Sequence, residues 1–237
     1  MTARTYVLVH GAWHGGWCWR RVSGRLAGKG HRVFCPTLTG LGERAHLLSR
    51  EVNLTTHIDD VVGLLEAEEL SDVVLVGHSY GGIVITGVAA RAKARLRQLV
   101  YLDSAVVEEG ATWASISLPE IVAERRKSAE SSDGVSLPVP DARVFGLLDA
   151  TDIEWVQRRM TPQPFGGYDQ KMRWGGAIGN GVPKVYVDCT DPAYAGLAPV
   201  KKRYRGKREW PFVELKTGHD AMVSAPEETA KLLLEFS

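Results

Sequence analysis

The chain is poor in the features that would commit it to a membrane, a nucleic acid or an oxidising compartment. Nowhere in its 237 residues is there a run approaching the ~20 apolar residues that a membrane helix needs. Lys and Arg total 29 against 28 Asp and Glu, a net charge of +1, so no overall field draws it to nucleic acid or an anionic bilayer. Its three cysteines, Cys18, Cys35 and Cys189, are an odd number without CxxC spacing. That excludes a disulfide framework or a zinc site and reads as reduced thiols. The opening MTARTYVLVHGAWHG offers only Tyr6–Val9 as an apolar run before histidine and glycine follow, too short for a secretory leader. A cytoplasmic location is the expectation. Internal repeats are absent as well. The compositionally biased patch KKRYRGKR, 201–208, reads as a solvated helix face and its following turn.

What is present suits a soluble globular domain: 44% hydrophobic and 24% charged residues supply ample material for a core. Short, β-branched runs at Thr5–Val9, Arg32–Cys35, Val73–Val76, Leu99–Leu102 and Val185–Val187 have the continuous apolar character of parallel strands buried on both faces. Segments of helical length, Trp17–Gly28, His57–Glu68 and Tyr80–Ala94, lie between them. The alternation predicts a doubly wound, mostly parallel α/β sheet. Phe212–Leu215 adds a late strand, and Ser224-Ala-Pro-Glu227 has capping-box spacing for a final helix. Between about 105 and 181 the rhythm breaks. A charged helical segment, Leu118–Glu130, is followed by proline-rich loop, Ala142–Met160 and TPQPFGGYDQ. This stretch is expected to be a small helical cap inserted into one domain spanning 1–237.

Three segments carry chemistry. In VVLVGHSYGG, 73–82, a buried strand runs straight into Gly77-His78-Ser79-Tyr80-Gly81, with a helix after it. This is a G-x-S-x-G nucleophile elbow in its strand–turn–helix context. A serine on so sharp a turn needs glycines two residues either side, and the helix N-terminus directs N–H groups at developing negative charge. The first strand leads into His10-Gly11-Ala12-Trp13-His14-Gly15-Gly16, not into G-x-G-x-x-G, which disfavours a dinucleotide site. An oxyanion hole needs the N–H after the nucleophile and one from this earlier loop, so Tyr80 and Ala12 are the expected donors. His10 and His14 lack carboxylates at metal-ligand spacing and are expected to hold the loop by hydrogen bonds. His219, in Thr217-Gly218-His219-Asp220 after the last strand, is the histidine placed to act as general base. His31, His46 and His57 precede the elbow and read as solvated. For the acid that orients His219, Asp191 in VYVDCTDP is the first choice, with Asp103 in VYLDS and Asp188 as alternatives.

Together VLVHGAWHGGWCW, PTLTGLGER, GHSYGG, VYLDS, the CTD turn and TGHDAM resemble the α/β-hydrolase branch of plant methylesterases and hydroxynitrile lyases, and more closely its short bacterial esterases. The resemblance spans nearly the whole chain. It implies Ser79 as nucleophile, His219 as base, Asp191 as acid, and Ala12 with Tyr80 as oxyanion donors. In those relatives the acid turn is often one residue longer than CTD. Lyases of the branch carry threonine or asparagine where this chain has Gly11, and some carry lysine where it has Asp220. Both departures favour an esterase.

The resulting expectation is a serine esterase acting on small apolar or aromatic esters, with no metal or organic cofactor. Gly11, Trp13, Trp113 and Trp155 are the expected substrate contacts, although such aromatics also simply pack a cap. The expected partners are a small-molecule ester and, at most, a second copy in a homodimer, with neither nucleic acid nor membrane. A lyase, lactonase or amidase on the same triad is the alternative, or a non-catalytic binding member of the fold.

Overall fold

The computed structural model describes residues 3–236, so the first two residues and the last of the expected domain lie outside the described residues. Strands β1 (Thr5–Val9), β2 (Arg32–Phe34), β3 (Val73–His78), β4 (Leu96–Leu102), β7 (Lys184–Cys189) and β8 (Phe212–Leu215) form one sheet in the order β2-β1-β3-β4-β7-β8. Every pairing in it is parallel. β3 is buried at all its positions, as a central strand covered on both faces must be, and its valines suit that pleated, covered environment.

The helices α1 (Arg20–Ala27), α2 (Leu54–Ala67), α3 (Gly81–Ala92) and α8 (Pro226–Glu235) pack in pairs, α1 with α8 and α2 with α3. From β1 the chain crosses to β2 through α1, then returns past β1 to β3 through α2. Right-handed crossovers put these two connections on opposite faces. The strand order therefore reverses between β1 and β3, and a crevice opens at their carboxyl ends, where ligands bind in sheets of this kind. The loop after β1 and the elbow after β3 meet there.

The stretch between β4 and β7 holds α4 (Pro119–Ala129) and α5 (Ala150–Gln157). It also holds a two-residue antiparallel pairing of β5 (Ser136–Leu137) with β6 (Gln163–Pro164), which its loop-like composition conceals. α6 (Ala198–Tyr204) follows β7, and the short α7 (Ala221–Ser224) precedes α8.

Capping departs from expectation. Asn53 caps α2 through its side chain in a reciprocal box with Thr56, whereas α8 has Ala225 at its N-cap and no side-chain cap. Ser224 bonds instead to Thr217 and to the Asp220 carbonyl. The hydroxyl is drawn into the loop that carries His219. All three cysteines are free thiols. Among the described residues no helix is long and apolar enough to cross a membrane.

Candidate active site

Ser79 leaves β3 with φ +52°, in the left-handed region that side chains other than glycine rarely adopt. The strain is held by the backbone: Ser79 N–H donates to the Leu102 carbonyl at 3.3 Å, and its own carbonyl accepts from Gly82 and Ala105. The flanking glycines are required by space. A Cβ on Gly77 would stand 2.6 Å from the Gly81 oxygen, and one on Gly81 would stand 2.7 Å from the Val9 oxygen. Such approaches leave no room for any side chain, and Ser79 remains half-buried among fully buried neighbours.

His219 is 1% exposed, and its Nδ1 lies 2.6 Å from Asp103 Oδ2. A carboxylate only accepts, so Nδ1 donates to Asp103, and in the neutral ring the lone pair is on Nε2. The loop bearing His219 is tied to the elbow through His78, whose Nε2–H donates to the His219 carbonyl at 3.0 Å. Burial, with His219 beside it, lowers the His78 pKa to about 3, so this ring is neutral.

The structure places Asp103, and not Asp191, against His219. Asp191 is exposed, and no hydrogen bond or ion pair joins it to His219 among the described residues. In the short CTD turn, Thr190 bridges back to Ala193 and Asp191 N–H donates to the Thr217 carbonyl, which leaves the carboxylate on the rim. The place behind His219 is taken by Asp103, just past β4, with φ +41°. Its Oδ1 accepts from Cys189 N–H and from Lys201 Nζ. Burial opposes its charge, but His219 and Lys201 outweigh that and hold the Asp103 carboxyl below the usual range. Asp188, the third alternative, pairs with Lys201 and Arg205.

The loop after β1 is secured from both sides. His10 donates from Nδ1 to the Gly11 carbonyl and accepts Leu38 N–H at Nε2; burial lowers its pKa to about 3. His14 has an acceptor at each nitrogen, the Ala12 carbonyl at 2.7 Å and Asp220 Oδ2 at 3.0 Å. Burial opposes a charge there, but Asp220 prevails and raises the His14 pKa. Asp220, fully buried, faces this imidazole and not a substrate cavity. Among the described residues neither Ala12 N–H nor Tyr80 N–H donates to a protein acceptor. Gly11 packs directly on the elbow, since a Cβ there would meet Ser79 Cβ at 2.8 Å and His78 Nδ1 at 2.9 Å.

A cavity of about 590 Å³ lies between the cap and the loop after β7, lined by Trp13, Arg125, Phe145 and Tyr194 among others. It adjoins His219, whose ring stacks on Tyr194 at 4.2 Å with Phe145 at 6.0 Å. Trp13 thus lines the cavity. Trp113 stands behind it, packed on Tyr80 and Tyr168. Trp155 does not line it: the ring packs edge-on to Trp17 between the guanidinium groups of Arg21 and Arg159. Its position on α5 directs it to α1, which explains that departure from expectation.

Several participants escaped the sequence reading. His57 is buried, bonding Tyr80 Oη at 2.8 Å and the Thr39 carbonyl at 3.0 Å, although it looked solvated. His31 is buried too. Gln163, with no exposed surface, accepts Trp13 N–H and joins the cap to the loop after β1. Lys201 reaches Asp103 out of a charge run. Among the described residues no three His, Cys, Asp or Glu side chains are grouped to hold a metal ion.

Comparison with known proteins agrees with this architecture. Residues 6–232 match the alpha/beta hydrolase family. A carbendazim-hydrolysing esterase from a Nocardioides species is 43% identical over 96% of this chain and 97% of its own. Methylesterase 10 of Arabidopsis thaliana is 39% identical over 98% of this chain and 91% of its own. Among solved structures, an extracellular alpha/beta-hydrolase from a Paenibacillus species superposes with a TM-score of 0.86 at 23% identity, covering 99% of both chains. The family match and the two esterases agree with the elbow and the six parallel strands: the chain belongs to the alpha/beta hydrolase family, as a hydrolase of the carboxylesterase type.

Proposed function

We propose that the protein hydrolyses carboxylic esters of small aromatic or apolar molecules through Ser79, His219 and Asp103, with Ala12 and Tyr80 N–H groups as the oxyanion hole. The observation that carries this reading is the 2.6 Å bond from His219 to Asp103, on a loop pinned to the strained Ser79 turn. His219 Nε2 takes the Ser79 hydroxyl proton as Oγ attacks the ester carbonyl. Negative charge gathers on the carbonyl oxygen, where the two free N–H groups stabilise it. The protonated His219, steadied by Asp103, gives its proton to the departing alkoxide. Water then repeats the sequence on the acyl-enzyme and releases the acid.

The cavity supports aromatic substrates with an oxygen acceptor. Trp13, Phe145 and Tyr194 supply apolar faces, and the buried Trp13 Nε1–H has no protein acceptor. Arg125 lies 5.2 Å over Trp113 and 5.8 Å over Trp13, with no carboxylate in salt-bridge range among the described residues. A lyase reading has less support, since Gly11 has no room for a hydroxyl-bearing side chain and Asp220 is engaged with His14.

The test is labelling and turnover. A serine-directed phosphonate should modify Ser79 alone, p-nitrophenyl acetate or benzoate should be hydrolysed, and Ser79→Ala should lose about 10⁶-fold in kcat. Label on a different serine, or cyanide release from mandelonitrile with esters untouched, would refute the reading.

A further inference from the structure

Two buried carboxylates stand side by side behind His219, and one ammonium group serves both. Parallel pairing of β4 with β7 sets Leu102 opposite Val187, which brings the next residues, Asp103 and Asp188, together at the strand ends. Asp103 is 0% and Asp188 2% exposed. Lys201 Nζ lies 2.7 Å from Asp103 Oδ1, 2.7 Å from Asp188 Oδ1 and 2.9 Å from the Cys189 carbonyl. All three of its protons are thereby used, and its side chain is 12% exposed. Two buried carboxylates that share one cation repel each other, and the ammonium between them offsets that repulsion.

We propose that Lys201 is a positioning residue for the hydrolytic triad: its ammonium, bonded to Asp103 and Asp188 at once, offsets the second carboxylate and fixes Asp103 against His219. This rests on the reading of Asp103 as the acid. Asp103 Oδ2 holds His219 while Oδ1 holds Lys201, so the negative charge seen by the imidazole is partly cancelled by the cation on the other oxygen. The surrounding charges are few. Arg205 faces Asp188 and is paired also with Glu214. The Cys189 thiol and Tyr186 phenol are both held neutral, chiefly by burial. Around His219 stand His78, the Asp220 carboxylate paired to His14, and Tyr194. Lys201 is the cation in direct contact with Asp103.

Removing that cation should raise the pH at which activity is lost on the acid side, whether the proton then settles on His219 or on the carboxylate pair. In Lys201→Met the acid limb of kcat/KM for a p-nitrophenyl ester should move up by about one to three pH units, with the alkaline plateau within several-fold of wild type. Lys201→Arg, which keeps the charge, should hold the limb where wild type has it. Lys201→Met with Asp188→Asn removes one carboxylate along with the cation and should return the limb most of the way. This double variant also covers the case in which Lys201→Met alone does not fold. A uniform fall in kcat/KM with an unmoved limb, or a double variant whose limb lies as high as that of Lys201→Met, would overturn the inference. Asp103→Asn separates the two readings. If it cripples turnover while the limb of Lys201→Met stays put, only the role of Lys201 fails; if Asp103→Asn is fully active, the triad assignment itself fails.

Discussion

On the sheet side of the site nearly every polar side chain has a partner that fixes it: His10 on Gly11 and Leu38, His14 on Ala12 and Asp220, His78 on the His219 carbonyl, Asp103 on His219, Cys189 and Lys201. The cap side is tied to the rest of the molecule around its edges, by Gln163 to Trp13, Thr161 to the Trp13 carbonyl, Asp220 N–H to the Phe145 carbonyl, Arg21 to Asp152 and Gln170 to Leu54 and Thr55. Its aromatic and cationic side chains present faces to a cavity. A floor whose side chains are each fixed by a partner holds reacting groups with little reorganisation, which electrostatic catalysis requires. The apolar side chains that the cap turns to the cavity, such as Ile121, Val139 and Phe145, have no side-chain hydrogen bonds to lose and can be exchanged without disturbing the floor, which suits substrate choice. Substitutions in the floor should therefore change kcat, and substitutions in the cap should change KM or the ratio between substrates.

The largest effect after loss of the nucleophile should come from Asp103. Asp103→Asn keeps the shape but can present an amide N–H to Nδ1, mis-setting the His219 tautomer. The expected cost is up to about 10⁴-fold in kcat. Asp191→Asn, on the exposed turn, should stay within about twofold, since surface substitutions rarely perturb their surroundings. Steady-state kinetics on the two purified variants decides, and the reverse ranking would move the acid to Asp191.

That pair also shows which parts of the site could be read from the chain. The sharp turn at Ser79 and the place of His219 beside it were legible because each is announced locally, by a strand running into a glycine-flanked turn or by a histidine after the last strand. The strands at Thr5–Val9 and Phe212–Leu215 were legible to the residue for a similar reason, being apolar runs bounded by charge or glycine. The carboxylate partner of His219 was not, because it depends on which strand end lies behind that ring. The register of β4 against β7 and the shortness of the CTD turn settle that, and neither is a local property. Lys201 was hidden in a charge run for the same reason: Lys202 and Arg203 are exposed, while the neighbouring lysine turns inward. His57 was misjudged because helix position alone does not reveal which face meets the elbow.

A smaller loss should follow from uncoupling the two loops of the floor. Asp220 holds His14, and His14 holds the Ala12 carbonyl, so Asp220→Asn loosens the loop that presents Ala12 N–H. Impaired use of one oxyanion donor sets a ceiling of about 3 kcal/mol, roughly 10²-fold in kcat, with KM little changed. If only thermal stability drops and kcat is unaltered, the pair serves the fold alone.

The floor should also dictate how stability responds to pH. An unfolded histidine binds its proton near 6.5, but folded His10 and His78 do so only near 3, and burial lowers His57 as well. Below about pH 6.5 the unfolded chain therefore holds more protons, and stability falls with pH by about 1.4 kcal/mol per unit for each such ring. The raised His14 works in the other direction. Its contribution is full below about 6.5 and is lost as pH climbs through its folded value. Asp103 and Asp220, both lowered, contribute above about pH 4 and fail only in stronger acid. Urea midpoints should accordingly peak near neutrality and drop between pH 6.5 and 5. A flat profile across that interval would mean that the buried rings titrate normally.

The finest test separates one aromatic residue from two charged residues of the cap region. Arg125 faces the cavity without a carboxylate partner, so Arg125→Met should weaken esters bearing an oxygen acceptor or a carboxylate by about tenfold in KM, the scale of one hydrogen bond to a charged group. Esters of plain hydrocarbon acids should hardly change, so the ratio between the two classes is the quantity to measure. Glu124 lines the same cavity and opposes an anion, so Glu124→Gln should shift that ratio slightly the other way. Trp155→Ala provides the contrast. Its ring packs on Trp17 between Arg21 and Arg159, outside the cavity lining. Removing it forfeits two cation–π contacts of about 0.5–1 kcal/mol each and should lower the melting temperature while leaving the substrate ratio within experimental error. A changed ratio in Trp155→Ala, with Arg125→Met silent, would show that substrates enter between α5 and α1 and that the large cavity beside His219 is not where they bind.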